Sequence, residues 1–184
     1  MESTIDIETL RFPIGKFEKP AIITPAHIQE WITDIAAFPA QLLELCRDLT
    51  EEQLQWRYRP QGWTIQQVVH HCADSHMNSF IRFKLSLTED TPTIKPYYED
   101  RWAELPDAAS APISHSLLIL EGLHARWTML LSSLQADDLH KEFLHPEHGR
   151  RFSVAENIGV YAWHARHHFA HIQQALRYQS RFEQ

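Results

Sequence analysis

The sequence predicts an all-α protein built as a four-helix bundle, and three observations carry that expectation. Apolar residues recur at helical spacing in four separate stretches. Two of those stretches open on a Ser or Thr followed three positions later by Glu or Gln, the pattern of a capped helix N-terminus. A mainly β arrangement has almost no support outside one short pair of segments around a glycine. Length agrees with this: 184 residues, 43% hydrophobic and 22% charged, suit a single domain spanning 1–184. A chain of this size buries roughly 70% of the surface it exposes when unfolded, so a bound metal would be there for function and not to make folding possible.

In chain order, residues 1–24 carry Pro13, Gly15 and Pro20 and read as an extended lead-in that packs Leu10, Phe12 and Phe17 against the body. The first helix starts near Pro25, a residue suited to a first turn, and Pro39 inside it predicts a kink or break. After an exposed stretch, TEEQLQWRYRPQGW, Thr64 caps a second helix, Gln67 completes its capping box, and the helix runs to about Leu87. The loop 88–112 contains Pro92, Pro96, Pro106 and Pro112, leaves room for only a short helical turn, and at about two dozen residues is expected to cover a site. A third helix runs from about Ser114 to Leu134. LHKEFLHPEHGRRFSV then reads as a small β-hairpin with a His-Gly turn. The fourth helix opens at Ser153, with Glu156 completing a second capping box, and ends near Tyr178.

Charge and cysteine usage exclude several classes. Seventeen basic against 24 acidic residues leave a formal charge of −7, and no run of Lys or Arg builds the stripe that nucleic acid requires. No apolar run approaches the ~20 residues of a membrane span. Cys46 and Cys72 fall inside helices without metal-ligand spacing, which suggests a reducing compartment. The N-terminal twenty residues lack a signal pattern, so a cytoplasmic location is expected.

Histidine is the unusual component: 13 residues, where equal shares among residue types would give about nine. Four of them, His164, His167, His168 and His171, fall within eight residues of the fourth helix. His164 and His168 lie one turn and about 40° apart, so their rings can converge on one ion. Judged against Val154, Ile158, Tyr161, Ala165, Ile172 and Leu176, His168 leans toward the apolar stripe and His167 points away. Two ligands on one helix need a third from elsewhere, and the second helix offers His70, His71 and His76. Its stripe of Ile65, Val68, Val69, Cys72, Phe80 and Phe83 turns His70 outward, puts His71 at the edge and points His76 into the core. Geometry alone leaves His71 and His76 competing, with His76 equally a buried histidine satisfied by a backbone or hydroxyl partner. His27, His115, His140, His145 and His148 are expected in surface or hairpin roles, and His124 stays open.

The pairing of WTIQQVVHHCAD on the second helix with WHARHHFAHI on the fourth resembles the DinB-like superfamily and its YfiT-type metal-dependent enzymes. SHMNSFIRFKLSLTEDTPTIKPY and HPEHGRRFSVAENIGVYAWH also look like that subgroup, so the likeness runs from about Ile14 to Tyr178. It implies a bundle whose single divalent metal is held by one histidine of the second helix and two of the fourth. The His-x-x-Asp pattern falls on His71 to Asp74 and selects His71 over His76, while His-x-x-x-His falls on His164 and His168. His171 stands where the broader family commonly carries glutamine. The resemblance implies a dimer, since members of the subgroup are dimeric, and Trp31 and Trp127, expected as exposed aromatics, leave room for a homodimer interface.

Three neutral imidazoles leave a divalent ion an open position, and zinc and nickel both suit such ligands. Water there gains acidity and becomes a nucleophile for hydrolysis. A small thiol would serve as the stronger nucleophile and ligand. The resemblance favours the thiol, so the leading expectation is transfer of a low-molecular-weight thiol, such as bacillithiol, to an electrophile. A metal-dependent hydrolase is the alternative, and a non-enzymatic stress-response binding module is the third reading. Asp74 and Asn78, one and two turns from His71, are candidates to fix an imidazole tautomer, as is His171. Arg82 and Lys95 are candidate cations for a thiol's carboxylates, and Tyr97 and Trp102 candidate pocket walls.

Overall fold

A computed structural model of the chain describes residues 6–182, so the first five residues of the lead-in lie outside the described residues. In chain order the elements are α1 (Ile7–Arg11), α2 (Pro25–Cys46), α3 (Glu51–Leu54), α4 (Ile65–Thr88), α5 (Glu99–Trp102), α6 (Pro106–Ser110) and α7 (Ile113–Ser132). A 3-10 turn at Asp138–His140 leads to β1 (Glu142–His145), β2 (Arg150–Ser153) and α8 (Val154–Tyr178).

The four long helices form the expected bundle, with α2 and α4 each packed on both α7 and α8. The first two long helices of the chain therefore stand across the diagonal instead of side by side. A diagonal crossing cannot be closed by the roughly 2–8 residues that join neighbouring helices, which explains the long connections 47–64, between α2 and α4, and 133–153, between α7 and α8. The connection 89–112 joins the neighbours α4 and α7 and is long for another reason, because it lays α5 and α6 over α4. Two apolar layers stack along the bundle. One gathers Phe38, Leu42, Val69, Leu120 and Ile172, the other Ile35, Phe83, Trp127 and Ile158. On α4, α7 and α8 the residues between these layers include His76, His124 and His164.

The caps show why the helices begin where they do. Thr64 accepts from the Gln67 N–H at 3.2 Å and its own N–H donates to Gln67 at 3.0 Å, closing the box expected at α4. At α8 only half the expected box forms. Ser153 accepts from the Glu156 N–H at 3.1 Å, but the Glu156 carboxylate is taken by Arg150 at 2.7 Å and Lys19 at 3.1 Å. That ties the lead-in and the hairpin to the start of the helix. His27 closes a box of its own at α2 with Thr24, a role its surface position did not suggest.

Several expectations are corrected. The lead-in is not wholly extended, because Asp6 caps α1 and Leu10 is buried against the body. Pro39 neither breaks nor ends α2, which runs through it; its absent N–H only leaves the Ile35 carbonyl, four residues earlier, without its helical partner. The loop holds two helical turns, α5 and α6. Trp31 and Trp127 are buried at 6% and 0% exposure and offer no interface. A Cβ on Gly159 would stand 2.9 Å from the Trp31 ring, so it is the missing side chain there that seats the indole between α2 and α8. Leu43, Leu118 and Met129 are among the apolar residues that are exposed instead, and they line a groove of about 730 Å³ between α2 and α7.

The hairpin has the expected form: β1 and β2 pair antiparallel, with Gly149 at φ +60° in the turn. Thr93 and Leu144 extend it through a parallel bridge to the loop, and Phe143 stacks on Phe152 at 5.6 Å over Ile94. No helix among the described residues is long and apolar enough to cross a membrane.

Candidate metal centre

Helices α4 and α8 bring His71, His164 and His168 together, with one ring nitrogen of each lying within 4.8 Å of the others. His71 Nε2 and His164 Nε2 are 3.3 Å apart. Two nitrogens each about 2.0–2.1 Å from a zinc-sized ion at a tetrahedral angle stand roughly 3.3–3.4 Å apart, so the spacing fits a four-coordinate ion. Ring centroids at 5.3, 4.7 and 4.4 Å close the triangle. With three imidazoles and no carboxylate or thiolate among the donors, a fourth position stays open.

Burial keeps these rings in the neutral, ligating form. Desolvation, then the charge of neighbouring His167, lowers His71 to about 3. Desolvation first and the other histidines second hold His164 and His168 well below the ordinary value.

Each of the two candidate ligands on α8 is held from behind. His164 Nδ1 meets His76 Nε2 at 3.0 Å, His76 Nδ1 meets His124 Nε2 at 2.8 Å, and His124 Nδ1 donates to the Ile35 carbonyl at 2.6 Å. His168 Nδ1 meets His171 Nδ1 at 3.3 Å, and His171 Nε2 donates to the Arg11 carbonyl at 3.1 Å beneath the stacked ring of Tyr58. Trp63 packs on His71 at 4.6 Å. The Ser75 hydroxyl lies 3.3 Å from His164 Nε2 and 3.3 Å from the Tyr161 phenol.

The profile of the DinB superfamily matches residues 35–172. The chain belongs to the DinB superfamily. Proteins of Bacillus cereus (strain 03BB102) and Bacillus thuringiensis subsp. konkukian (strain 97-27) are 55% identical over 163 residues, 89% of this chain and 93% of theirs; both are named, provisionally, as metal-dependent hydrolases. The solved structure of YfiT from Bacillus subtilis superposes with a TM-score of 0.90 at 44% identity, covering 93% of this chain and 98% of that one. YfiT is described as a probable metal-dependent hydrolase with an unusual four-helix bundle topology. The diagonal placement of α2 and α4 is the topological departure seen in this DinB chain.

Around the DinB centre the remaining candidates fall in different places. Asp74 makes no direct hold on His71; burial, reinforced by Asp107, raises its carboxyl to about 6. Asn78 donates to the Asp74 backbone carbonyl at 2.9 Å and not to an imidazole. Of the three residues expected to fix a tautomer, His171 alone contacts a ligand. Tyr97 is brought close: burial, with Tyr161 beside it, pushes its phenol up, and the Ser75 hydroxyl opposes that. Trp102 packs on Tyr97 at 4.5 Å. The loop covers α4 beside His71, since Gln67 donates to the Ala103 carbonyl at 2.9 Å. Arg82 stands about 16 Å along the helix from His71, and its charge acts on His145 of the hairpin. Lys95 is exposed two residues before Tyr97.

His70 and His167 are not outward as the helical wheels had them. His70 is buried under α6 and α7, with its ring nitrogens 2.8 Å from the Ser116 hydroxyl and 3.0 Å from the Ala111 carbonyl. His167 is covered by Phe12 and Trp163. Reading one helix at a time missed Ser75, Tyr161 and Trp63 at the centre. Ser75, one helical turn beyond His71, had a signal in its spacing.

Proposed function

We propose that this chain is a metal-dependent enzyme in which His71, His164 and His168 hold one divalent ion, zinc or nickel, that activates a low-molecular-weight thiol for transfer to an electrophilic small molecule. The observation that carries the reading is the donor set: three neutral imidazoles, His71 and His168 buried and His164 half-buried, spaced for a four-coordinate ion and leaving one position open. When bound, such an ion supplies Lewis acidity and favours the deprotonated form of the nucleophile beside it. In the transfer, sulfur forms a bond to the electrophilic carbon, the bond to the leaving group breaks, and the thiol proton departs with that group or to a base.

The chain's own groups serve this chemistry. Ser75 and Tyr161 offer two hydroxyls on the rim of the centre along which a proton can pass. Trp63, Tyr97 and Trp102 form aromatic walls that exclude water. Arg82 and Lys95 would meet the carboxylates of a bacillithiol-like thiol only in an extended pose, since Arg82 is about 16 Å from His71 along α4.

Hydrolysis, with water as the nucleophile, is the second reading. The Asp74 carboxyl favours it, because a group raised to about 6 one turn from His71 is suited to accept a proton near neutrality. The names of the Bacillus relatives point the same way.

The test is to load the protein with zinc or nickel and follow consumption of bacillithiol and other bacterial thiols against a broad electrophile such as a chlorobimane. Thiol-dependent conjugation lost in His164→Ala supports transfer. Absence of any thiol consumption, together with thiol-independent ester or amide cleavage lost in the same variant, would replace transfer by hydrolysis.

A further inference from the structure

We infer that His76 and His124 are positioning residues which, starting from a backbone carbonyl freed by Pro39, fix His164 in the tautomer that presents its Nε2 lone pair to the metal. This rests on the ligand set of the preceding reading, not on which reaction the centre performs.

The relay begins at Pro39. A proline in the middle of a helix has no N–H, so the carbonyl four residues earlier loses its helical donor. That carbonyl belongs to Ile35, which is fully buried, and a buried carbonyl without a donor is costly. His124 Nδ1 fills the gap at 2.6 Å. A carbonyl can only accept, so the hydrogen sits on His124 Nδ1.

From there each assignment forces the next. His76 and His124 are fully buried and face each other at 2.8 Å, an arrangement that disfavours charge on either, so a ring that carries hydrogen on one nitrogen has a lone pair on the other. His124 Nε2 therefore accepts, and His76 Nδ1, 2.8 Å away, must donate to it. His76 Nε2 then accepts from His164 Nδ1 at 3.0 Å. His164 Nε2 is left with its lone pair directed at His71 Nε2, 3.3 Å away, which is the ligand position.

The other ligand of α8 obeys the same logic independently. The Arg11 carbonyl, at the C-terminal end of α1, accepts from His171 Nε2 at 3.1 Å. His171 Nδ1 is then the acceptor for His168 Nδ1 at 3.3 Å, and His168 Nε2 carries the free lone pair. Both relays end on carbonyls that a helix leaves without donors, one at a proline and one at a helix end. A carboxylate at the end of such a relay would add negative charge and basicity to the ligand, whereas a carbonyl orients it and leaves the imidazole neutral.

Long-range proton–nitrogen NMR of histidine rings on the metal-free wild-type protein reads the tautomers directly. His124, His76 and His164 are expected as Nδ1–H; Nε2–H on any of the three overturns the inference whether or not the protein binds metal. Cobalt titration, followed by its visible absorption, tests the consequence. His124→Leu should weaken affinity about 10–100-fold, while His124→Gln, whose amide offers a donor and an acceptor together, should stay within about threefold of wild type. Pro39→Ala restores an N–H that competes for the Ile35 carbonyl, and should shift the His124 tautomer signal without touching any ligand. Equal losses in the Leu and Gln variants with unchanged wild-type-like tautomers in Pro39→Ala would reduce His124 to a packing residue. Failure of the wild type to take up cobalt at all would instead sink the ligand reading and leave the tautomer measurement to judge this one.

Discussion

The two histidines that α8 contributes to the centre are held by different parts of the molecule. His164 is backed by His76 and His124, whose anchor is a carbonyl in the middle of α2, so all three bundle helices other than α8 converge on it. His168 is backed by one histidine, and its anchor is a carbonyl of α1, a five-residue helix in which Leu10 is the buried residue. The difference teaches that one centre can combine a ligand locked by the core with a ligand whose orientation depends on a peripheral segment. Loss of α1 would leave the core relay standing; loss of the layer containing His76 would not leave the bundle unchanged.

At the ligands themselves the two routes should be indistinguishable, and this is the largest expected effect. His164→Ala and His168→Ala each remove one of three donors, and purified protein should fall from one equivalent of divalent metal to a small fraction, read by elemental analysis after gel filtration. A variant that keeps full stoichiometry would remove that residue from the centre and end the comparison.

Protonation offers the next largest effect. His124 has its pKa lowered to about 4 and His171 to about 3, in both cases chiefly by burial. An unfolded histidine titrates near 6.5, so between that value and the folded one the unfolded chain binds more protons. The stability these groups contribute is complete above about pH 6.5 and drains away as pH falls toward 4 and below. For metal-free protein, urea unfolding should show a loss on the order of 3 kcal/mol for His124 alone across that window. His124→Gln should flatten the curve by about one proton. A curve unchanged by that substitution would mean that His124 is not buried neutral.

Much of this arrangement could be read in the residues, and the parts that could not have a common cause. The boxes at Thr64 and Ser153 placed two helix starts because caps are local chemistry, and the Ser153 box failed only in its returning half, where Lys19 and Arg150 claim Glu156 from a distance. The His164/His168 pair was legible because both residues lie on one helix. That His71 and not His76 is grouped with the pair was not, since it depends on how α4 meets α8; the residues left the two competing, and resemblance favoured His71. His70 and His167 were misplaced because a wheel grants each helix one buried face. Here α4 is covered by α7, α8 and α6, and α8 is also covered by the lead-in, so their second faces are dry as well. The release of the Ile35 carbonyl by Pro39 was written in the sequence as a predicted break, but what replaces the missing donor comes from α7, 89 residues away.

His171→Leu probes the peripheral route at its histidine. The substitution removes the acceptor for His168 Nδ1 while keeping an apolar side chain beneath Tyr58. Affinity for cobalt should fall about tenfold, at the low end of the usual range for a group that orients a metal ligand. The contact is also longer than its counterpart at His164, 3.3 Å against 3.0 Å, which points to the smaller loss of the two. A loss exceeding that of His124→Leu would reverse the ranking of the two anchors.

The smallest effect is expected from the anchor of that route. Removing residues 1–12 deletes the Arg11 carbonyl but leaves His171 in place, and water can then accept from His171 Nε2. A water acceptor is nearly as good as a direct one, at a cost of up to about 2 kcal/mol in ordering. Because an acceptor of either kind keeps hydrogen on Nε2, His171 Nδ1 still accepts from His168 and the ligand tautomer survives. The truncated chain should therefore bind one metal and release it to a chelator only about threefold faster than the full chain, although loss of Leu10 lowers its melting temperature. Release as fast as that from His124→Leu would show that the His168 route needs its own carbonyl as much as the His164 route needs Ile35, and the asymmetry between core and periphery would disappear.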